Sequence, residues 1–165
     1  MQIELISPPH HESLIDLMLE MRTHNGETAV VARETVREHL LGRLLAADTP
    51  LRLAVALHPE QGVVGLAAFQ LLPSLVDPRP VHGLQCQLKE LYVRQSQRGQ
   101  GVGEALMRWV ARHAVAMGCG RMDWHVRSWN ERGIAFYRRL GAEPVADRQS
   151  YRLAAPALQR LAQGG

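Results

Sequence analysis

The sequence predicts an α/β protein built on a mixed β-sheet. Strand-like and amphipathic helical segments follow one another along the 165 residues. A strand, a helix and a second strand over residues 84–127 form a crossover unit, and strands joined in this way are usually parallel neighbours. Strands over 51–57 and 63–72 are joined by a short turn and therefore predict an antiparallel hairpin. The sheet is thus expected to contain both strand directions.

The N-terminal half is predicted to begin with a strand and two helices. Ile3 and Leu5 alternate with polar residues, as in a short strand. Apolar residues then recur at helical spacing over 14–21 and over 36–45. The hairpin follows, and residues 73–83, which hold three prolines, predict an irregular loop.

The C-terminal half is predicted to alternate strands and helices. Strands are expected over 84–93, 122–129 and 149–154, and helices over 102–117 and 130–140. Gly118 and Gly141 end the two helices. A polar tail closes the chain. Because no repeat or linker interrupts the order, one domain over residues 1–165 is expected.

Composition and charge disfavour several classes of protein. The net charge of +3 is small and scattered, and aromatic residues make up only 5% of the chain, so no nucleic-acid partner is expected. The apolar runs are too short to span a membrane, and the first residues lack the layout of a signal peptide, which favours a cytoplasmic protein. Cys86 and Cys119 are expected to be reduced. His10 and His11 are adjacent and cannot chelate from one helix face, so no metal is expected.

A cluster of glycines separates the strand over 84–93 from the helix that follows it. Gly99, Gly101 and Gly103 stand at alternate positions there. The first amides of a helix have no internal partner and carry the positive end of the helix dipole, so glycines at this place can form a nest for phosphate oxygens. A tight connection that binds nothing is the alternative. The spacing fits neither a Walker loop nor a dinucleotide fingerprint.

Two motifs resemble those of the GNAT family of N-acetyltransferases. The run from Arg98 to Gly103, "RGQGVG", resembles the family's pyrophosphate-binding motif. "WNERGIAFYRRLGAE" resembles its second cofactor segment through Asn130, Ala135 and Tyr137. The resemblance covers roughly residues 53–143 and, within the family, is similar to diamine and thialysine acetyltransferases. It implies a central mixed sheet of six to seven strands flanked by about four helices.

The resemblance implies acetyl-CoA as co-substrate and assigns its contacts. The pantetheine arm would pair with backbone at Leu91, Tyr92 and Val93, where two parallel strands splay apart. Asn130 would be both the helix N-cap and a cofactor contact. The pyrophosphate would lie on the amides of the glycine motif, which are those of Arg98, Gly99, Gln100, Gly101, Val102 and Gly103.

Tyr137 is the candidate general acid. Positions 130, 134 and 137 lie on one face of the predicted helix. Attack of an amine on the thioester expels coenzyme A thiolate, and a phenol, with an ordinary pKa of about 10, can protonate that sulfur as it leaves. The alternative is a packed tyrosine whose hydroxyl bonds a backbone group.

Glu90 is the candidate base for the incoming ammonium. Diamine-type relatives carry two adjacent acids here, whereas this chain has Lys89 and then Glu90. If the first of those acids is the working base in the relatives, this chain has lysine in its place. Successive strand residues face opposite sides, so Glu90 would then point away from the site. A salt-bridged or solvated Glu90 is therefore the alternative. His125, on a predicted strand, is a second candidate base or a hydrogen-bonded core histidine. Asp77 and His82, in the proline-rich loop, would border the acceptor site or simply be exposed.

The function expected from this resemblance is transfer of an acetyl group from acetyl-CoA to a primary amine of a small molecule. The amine would attack directly in a ternary complex. Acetylation of a protein N-terminus or lysine is a second hypothesis, and a coenzyme A-binding regulatory domain without turnover is a third. A homodimer is expected by analogy with the family.

Overall fold

One mixed sheet organises the first of two units in the computed structural model, which describes residues 1–79 and 83–164. The units span Met1–His125 and Val126–Gly165. The sheet contains five strands in sequential order, which are β1 Gln2–Leu5, β2 Leu51–His58, β3 Gly62–Pro73, β4 Leu84–Val93 and β5 Cys119–Asp123. The first four are mutually antiparallel, and β4 and β5 are parallel. The predicted mixed sheet is confirmed.

The helices cover both faces of this sheet or lie in the second unit. Helix α1 is His11–His24, and α2 is Arg33–His39, which continues as a π-helical turn over Leu40–Leu44. Helix α3 is Val102–Ala116. The second unit contains α4, Glu131–Arg139, and α5, Ala155–Ala162. No helix in the described part of the chain is long and apolar enough to cross a membrane.

The predicted number of six to seven strands is wrong for the residues that the structure describes. The ladder to β4 ends at Asp123, although the alternation of Trp124 and Val126 continues the strand-like pattern beyond it. Residues 149–154 form no strand. The expected polar tail instead contains α5, because alanine and leucine favour helix and Pro156 lies in its first turn, where proline is tolerated.

The face of the sheet that α1 and α2 cover holds the larger apolar cluster. Leu66 and Ala68 of β3 lie in it together with Tyr92 of β4. The helices contribute fully or nearly fully buried side chains to the same cluster, namely Leu14, Ile15, Leu17, Met18, Val36 and Leu40. Arg33 and Arg37 of α2 both pair with Glu12 of α1, and these hydrogen bonds lower the pKa of Glu12 to about 2. Helix α1 is therefore fixed by packing below and by α2 beside it.

Helix α3 packs on the opposite face. Its Leu106 and Val110 are fully buried. Trp109 is only half-buried and stacks on His113, with ring centroids 5.2 Å apart, and both rings contact the edge of Phe69. Trp109 therefore lies at the margin of the core on this face.

Gly65 of β3 lets α3 approach the sheet closely, and a valine there should destabilise the protein. A Cβ at this position would lie 2.9 Å from Leu106 Cδ1 and 3.1 Å from Val102 Cγ1. Both side chains are buried, so we expect Gly65→Val to lower the free energy of unfolding by about 1–3 kcal/mol in urea denaturation.

Gly42 provides the control for the Gly65 variant. A Cβ there meets nothing within 4 Å, and the residue is in a helical turn. We expect Gly42→Ala to leave stability unchanged or raise it by up to about 1 kcal/mol. Equal stabilities for wild type and Gly65→Val would show that the contact between α3 and β3 is looser than described.

Candidate functional site

The turn between β4 and α3 is open above its backbone. We call residues 98–103 the glycine turn. Gly99 and Gly101 have φ angles of +77° and +80°, in the left-handed region that side chains disfavour. Among residues 1–79 and 83–164, a Cβ at either position would meet no atom within 4 Å beyond its own chain neighbours. The positive φ angles thus require glycine, while the space over the turn is left for a ligand.

The N-terminus of α3 lies directly behind this space. Gly101 is its N-cap and supplies no side chain to accept from the first amides, which have no acceptor within the helix. Glu104, the acid in the first turn, is paired with Arg108 at 2.7 Å. Backbone N–H groups and the positive end of the helix dipole therefore remain as the features that can attract an anion here.

The C-terminal half of β4 has a free edge beside the turn. Strand β5 pairs only with Leu84 to Gln87. Beyond that point β3 is the one strand neighbour of β4 among residues 1–79 and 83–164. The ladder between the two parallel strands thus ends where the family resemblance implied that they splay apart, because β5 ends at Asp123. An extended ligand could add to the exposed edge as a strand does.

The ladder to β3 determines which backbone groups point to this free edge. Arg94 N–H donates to Val64 C=O at 2.8 Å, so Arg94 and Val64 form a hydrogen-bonded pair. In an antiparallel ladder such pairs alternate with non-hydrogen-bonded ones. The backbone of Tyr92 is therefore directed at Leu66, whereas that of Leu91 and Val93 is directed at the free edge. Arg98 Nε donates to Val93 C=O at 2.9 Å, in agreement with this assignment.

A β-bulge at Lys89 changes the face that the next residue occupies. Leu88 pairs with Phe69 and Glu90 pairs with Ala68, so Lys89 is an extra residue in β4. Leu88 consequently shares the α3 face with Phe69, and Glu90 shares the α1–α2 face with Ala68. Strict alternation, which the sequence argument assumed around Glu90, does not hold at this point.

Glu90 is exposed, yet the pKa of its carboxyl departs from the ordinary value. Neighbouring atoms reduce its hydration and raise its pKa above the ordinary value of 4.5. A hydrogen bond from Leu91 N–H and the charge of Lys89 oppose this effect without cancelling it. A carboxyl with a raised pKa is a better proton acceptor when ionised, as a general base requires.

The second unit presents the other two predicted site residues on α4. Asn130 is the N-cap, and its Oδ1 accepts a hydrogen bond from Gly133 N–H at 3.0 Å. Its predicted capping role is confirmed. Tyr137 is half-buried one turn from the end of the helix, with its ring 5.1 Å from that of Phe136. Helix α4 ends at Arg139, and Gly141 follows with a φ of +86°.

The secondary candidates receive less support. His125 is exposed and follows the end of β5, so its placement on a strand in the core is wrong. Asp77 pairs with Arg79 through two oxygens in the proline-rich loop. His82 lies outside the described residues. Both cysteines are free, as expected, with Cys86 buried and Cys119 half-buried.

The structure also brings to the end of β4 one residue that the sequence did not point to. Glu20 of α1 accepts hydrogen bonds from the Tyr92 hydroxyl and from Gln95 N–H, each at 3.0 Å. It is more than 70 residues away along the chain, and no motif contains it. The one sequence signal for Glu20 is its helical spacing. It lies three residues after the buried Leu17 and is therefore expected on the same face of α1, toward the sheet.

The fold and the turn define an α/β protein with a glycine-rich helix N-terminus beside the end of a parallel strand ladder. The family model of the acetyltransferase (GNAT) family matches residues 12–142. The chain therefore belongs to the GNAT family, and the resemblance predicted from the two motifs is confirmed. The family is one of acyltransferases, in agreement with the predicted class of enzyme.

Relatives found by sequence agree with this assignment, and a solved structure shares the fold. An L-ornithine N5-acetyltransferase of Arabidopsis thaliana is 35% identical over 45% of this chain and 32% of its own. A thialysine N-epsilon-acetyltransferase of Bos taurus is 31% identical over 48% and 49%. The chain thus spans about a third to a half of these relatives. An integron cassette protein from V. cholerae has the same fold, with a TM-score of 0.87, 24% identity and coverage of 98% and 97%.

Proposed function

We propose that the protein transfers the acetyl group of acetyl-CoA to a primary amine of a small molecule. The amine nitrogen attacks the thioester carbonyl in a ternary complex, a C–N bond forms and the C–S bond breaks. The observation that carries this proposal is the glycine turn, open above Gly99 and Gly101 at the N-terminus of α3, in a chain of the GNAT family.

The donor would be held by backbone groups of the first unit. The amides from Arg98 to Gly103 bind the diphosphate, supported by the dipole of α3. Leu91 and Val93, whose backbone is directed at the free edge of β4, bind the pantetheine arm as a neighbouring strand would. Tyr92 contributes through its packing beneath Arg98, whose guanidinium carbon is 5.3 Å from the Tyr92 ring centroid. Asn130 contributes a further contact to the donor.

Two side chains would move the protons of the reaction. Glu90 takes a proton from the ammonium group of the acceptor, directly or through water, and so frees the nitrogen lone pair for attack. Tyr137 donates its hydroxyl proton to the sulfur as the thiolate leaves. The raised pKa of Glu90 supports the first role. The match of the α4 segment to the family motif supports the second.

The acceptor is inferred from the relatives. The names of two of them specify ornithine and thialysine, both of which present a side-chain primary amine. The same chemistry is shared by diamines and aminoglycosides. We therefore propose a small cationic amine as the acceptor class. A protein N-terminus or lysine is the second candidate, and a regulatory domain that binds coenzyme A without turnover is the third.

A thiol-release assay tests the proposed function. Purified protein is incubated with acetyl-CoA and, separately, with ornithine, thialysine, polyamines, an aminoglycoside and lysine-containing peptides. Release of free coenzyme A with a small amine supports the proposal. Release with peptides alone would favour the second candidate. Binding of coenzyme A without release for any acceptor would favour the third.

Replacing Glu90 should change the pH dependence of turnover. A base acts when deprotonated, so kcat/KM of the wild type should fall as the pH drops through a value above 4.5, the ordinary pKa. In Glu90→Gln we expect kcat/KM at neutral pH to drop about tenfold or more and this acidic limb to disappear. Steady-state kinetics across the pH range measure both effects.

Lys89 gives a companion variant for the Glu90 experiment. Its charge lowers the pKa of Glu90, so Lys89→Gln should move the acidic limb to higher pH without removing it. If Glu90→Gln had the same pH dependence of kcat/KM as the wild type, Glu90 would not be the base. The ammonium group of the acceptor would then lose its proton to solvent.

A further inference from the structure

Glu20 joins helix α1 to the start of the β4–α3 connection at three points. Its Oε1 accepts from the Tyr92 hydroxyl at 3.0 Å and from Gln95 N–H at 3.0 Å. Its Oε2 is 3.6 Å from Arg94 Nε. The partners are the next-to-last residue of β4 and the two residues that follow the strand. One carboxylate thus holds the backbone exactly where the chain leaves the sheet for the glycine turn.

Tyr92 is shielded from water, which strengthens its bond to Glu20, whereas Gln95 is exposed. The Tyr92 side chain is 5% exposed, and the side chains of Glu20 and Arg94 are 32% and 25% exposed. Burial raises the pKa of Tyr92, and the hydrogen bond to Glu20 raises it further, so the phenol remains the donor. Without Glu20, the Tyr92 hydroxyl and the amide of Gln95 would each lose an acceptor, and the Arg94 guanidinium would lose its ion-pair partner.

The same contacts continue from Tyr92 to the glycine turn. Arg98 lies over the Tyr92 ring and donates from Nε to Val93 C=O at 2.9 Å. Arg98 N–H in turn bonds to Gln95 C=O at 3.3 Å. Glu20 therefore fixes both residues, Tyr92 and Gln95, against which Arg98 is positioned. Helix α1 itself is anchored by its buried leucines and by α2.

We infer that Glu20 is a positioning residue that sets the glycine turn in its diphosphate-binding geometry. This inference deepens the proposed function and rests on it for the identity of the ligand. Glu20 touches no part of the turn from 99 to 103 and acts through Tyr92, Gln95 and Arg94. Its contribution lies in holding the amides in place before the ligand arrives, so that less conformational entropy is lost on binding.

The experiment compares Glu20→Leu and Glu20→Gln with the wild type, with exposed Glu38→Leu on α2 as the control. Glutamine retains an oxygen that accepts from Tyr92 and Gln95, whereas leucine removes both bonds. Calorimetry measures the Kd for coenzyme A and for S-acetylpantetheine, which lacks the diphosphate. Hydrogen exchange of the ligand-free proteins follows the amides of residues 94–103.

We expect Glu20→Leu to weaken coenzyme A binding about tenfold, to change S-acetylpantetheine binding by less than about twofold, and to speed exchange in residues 94–103 about tenfold. Glu20→Gln and Glu38→Leu should stay close to wild type. Equal weakening for both ligands, or unchanged exchange in residues 94–103, would overturn the inference. A wild type that binds no coenzyme A would refute the proposed function, while the exchange data would still decide the role of Glu20.

Discussion

The Gly101→Glu protein is expected to bind coenzyme A on the order of 100-fold more weakly than the wild type, in calorimetric titration. The new carboxylate would occupy the open space over the glycine turn and repel a diphosphate there. The φ of +80° adds backbone strain for any residue with a Cβ. Because no other group in the described part of the chain lies within 4 Å of that Cβ, the fold itself has no steric reason to fail.

A glutamate at Gly26 is the control for Gly101→Glu. It tests whether backbone strain and an added negative charge reduce affinity for coenzyme A when they lie outside the glycine turn. Gly26 also has a positive φ, +78°, and a Cβ there would meet nothing within 4 Å. Gly26→Glu therefore introduces the same charge and a similar strain in the turn after α1. We expect its affinity for coenzyme A to match the wild type. Equal affinities for all three proteins would place the diphosphate outside the glycine turn and remove the main support for the proposed function.

The Tyr137→Phe protein is expected to turn over acetyl-CoA about tenfold or more slowly than the wild type at saturating amine. The substitution removes only the hydroxyl group, since phenylalanine retains the ring that packs 5.1 Å from Phe136. Loss of a proton donor to the departing sulfur affects kcat, and we expect the Kd for coenzyme A to change by less than about twofold.

Tyr151→Phe is the matched control for this experiment. Tyr151 is 89% exposed, and its hydroxyl bonds only locally, to Gln149 at 2.7 Å. Its replacement should leave kcat unchanged. If Tyr137→Phe turned over as fast as both other proteins, the sulfur would have to be protonated by another group, and Tyr137 would have a packing role alone.

Local patterns in the sequence were sufficient for most of the fold. The helices α1 and α3, the hairpin β2–β3 and the parallel pair β4–β5 all follow from periodicity and connection length, which act over a few residues. The end of β5 was not predicted correctly. The alternation of apolar residues continues past Asp123, although the pairing with β4 ends there. Helix α5 was missed because it is short and lacks buried residues, so its signal is propensity alone.

In the candidate site too, local features could be predicted from the sequence, whereas features that depend on distant segments could not. The glycine turn and the cap of Asn130 are local features. The structure has a turn with left-handed glycines and a helix N-cap at the positions that the sequence predicted. The orientation of Glu90 depends on a bulge, which is a property of the register between two strands and leaves no mark in either one alone. Glu20 depends on contact between α1 and β4, which only the folded chain brings together.

The extra residue at position 89 uncouples the length of β4 from the packing of the core. Deleting it would leave Leu88 opposite Phe69 and Glu90 opposite Ala68 in a regular ladder, so that Cys86 and Leu88 would stay buried under α3. A deletion at another position in the strand would instead turn the residues on one side of it to the other face of the sheet. The length of β4 can therefore change at the bulge without a new hydrophobic interior.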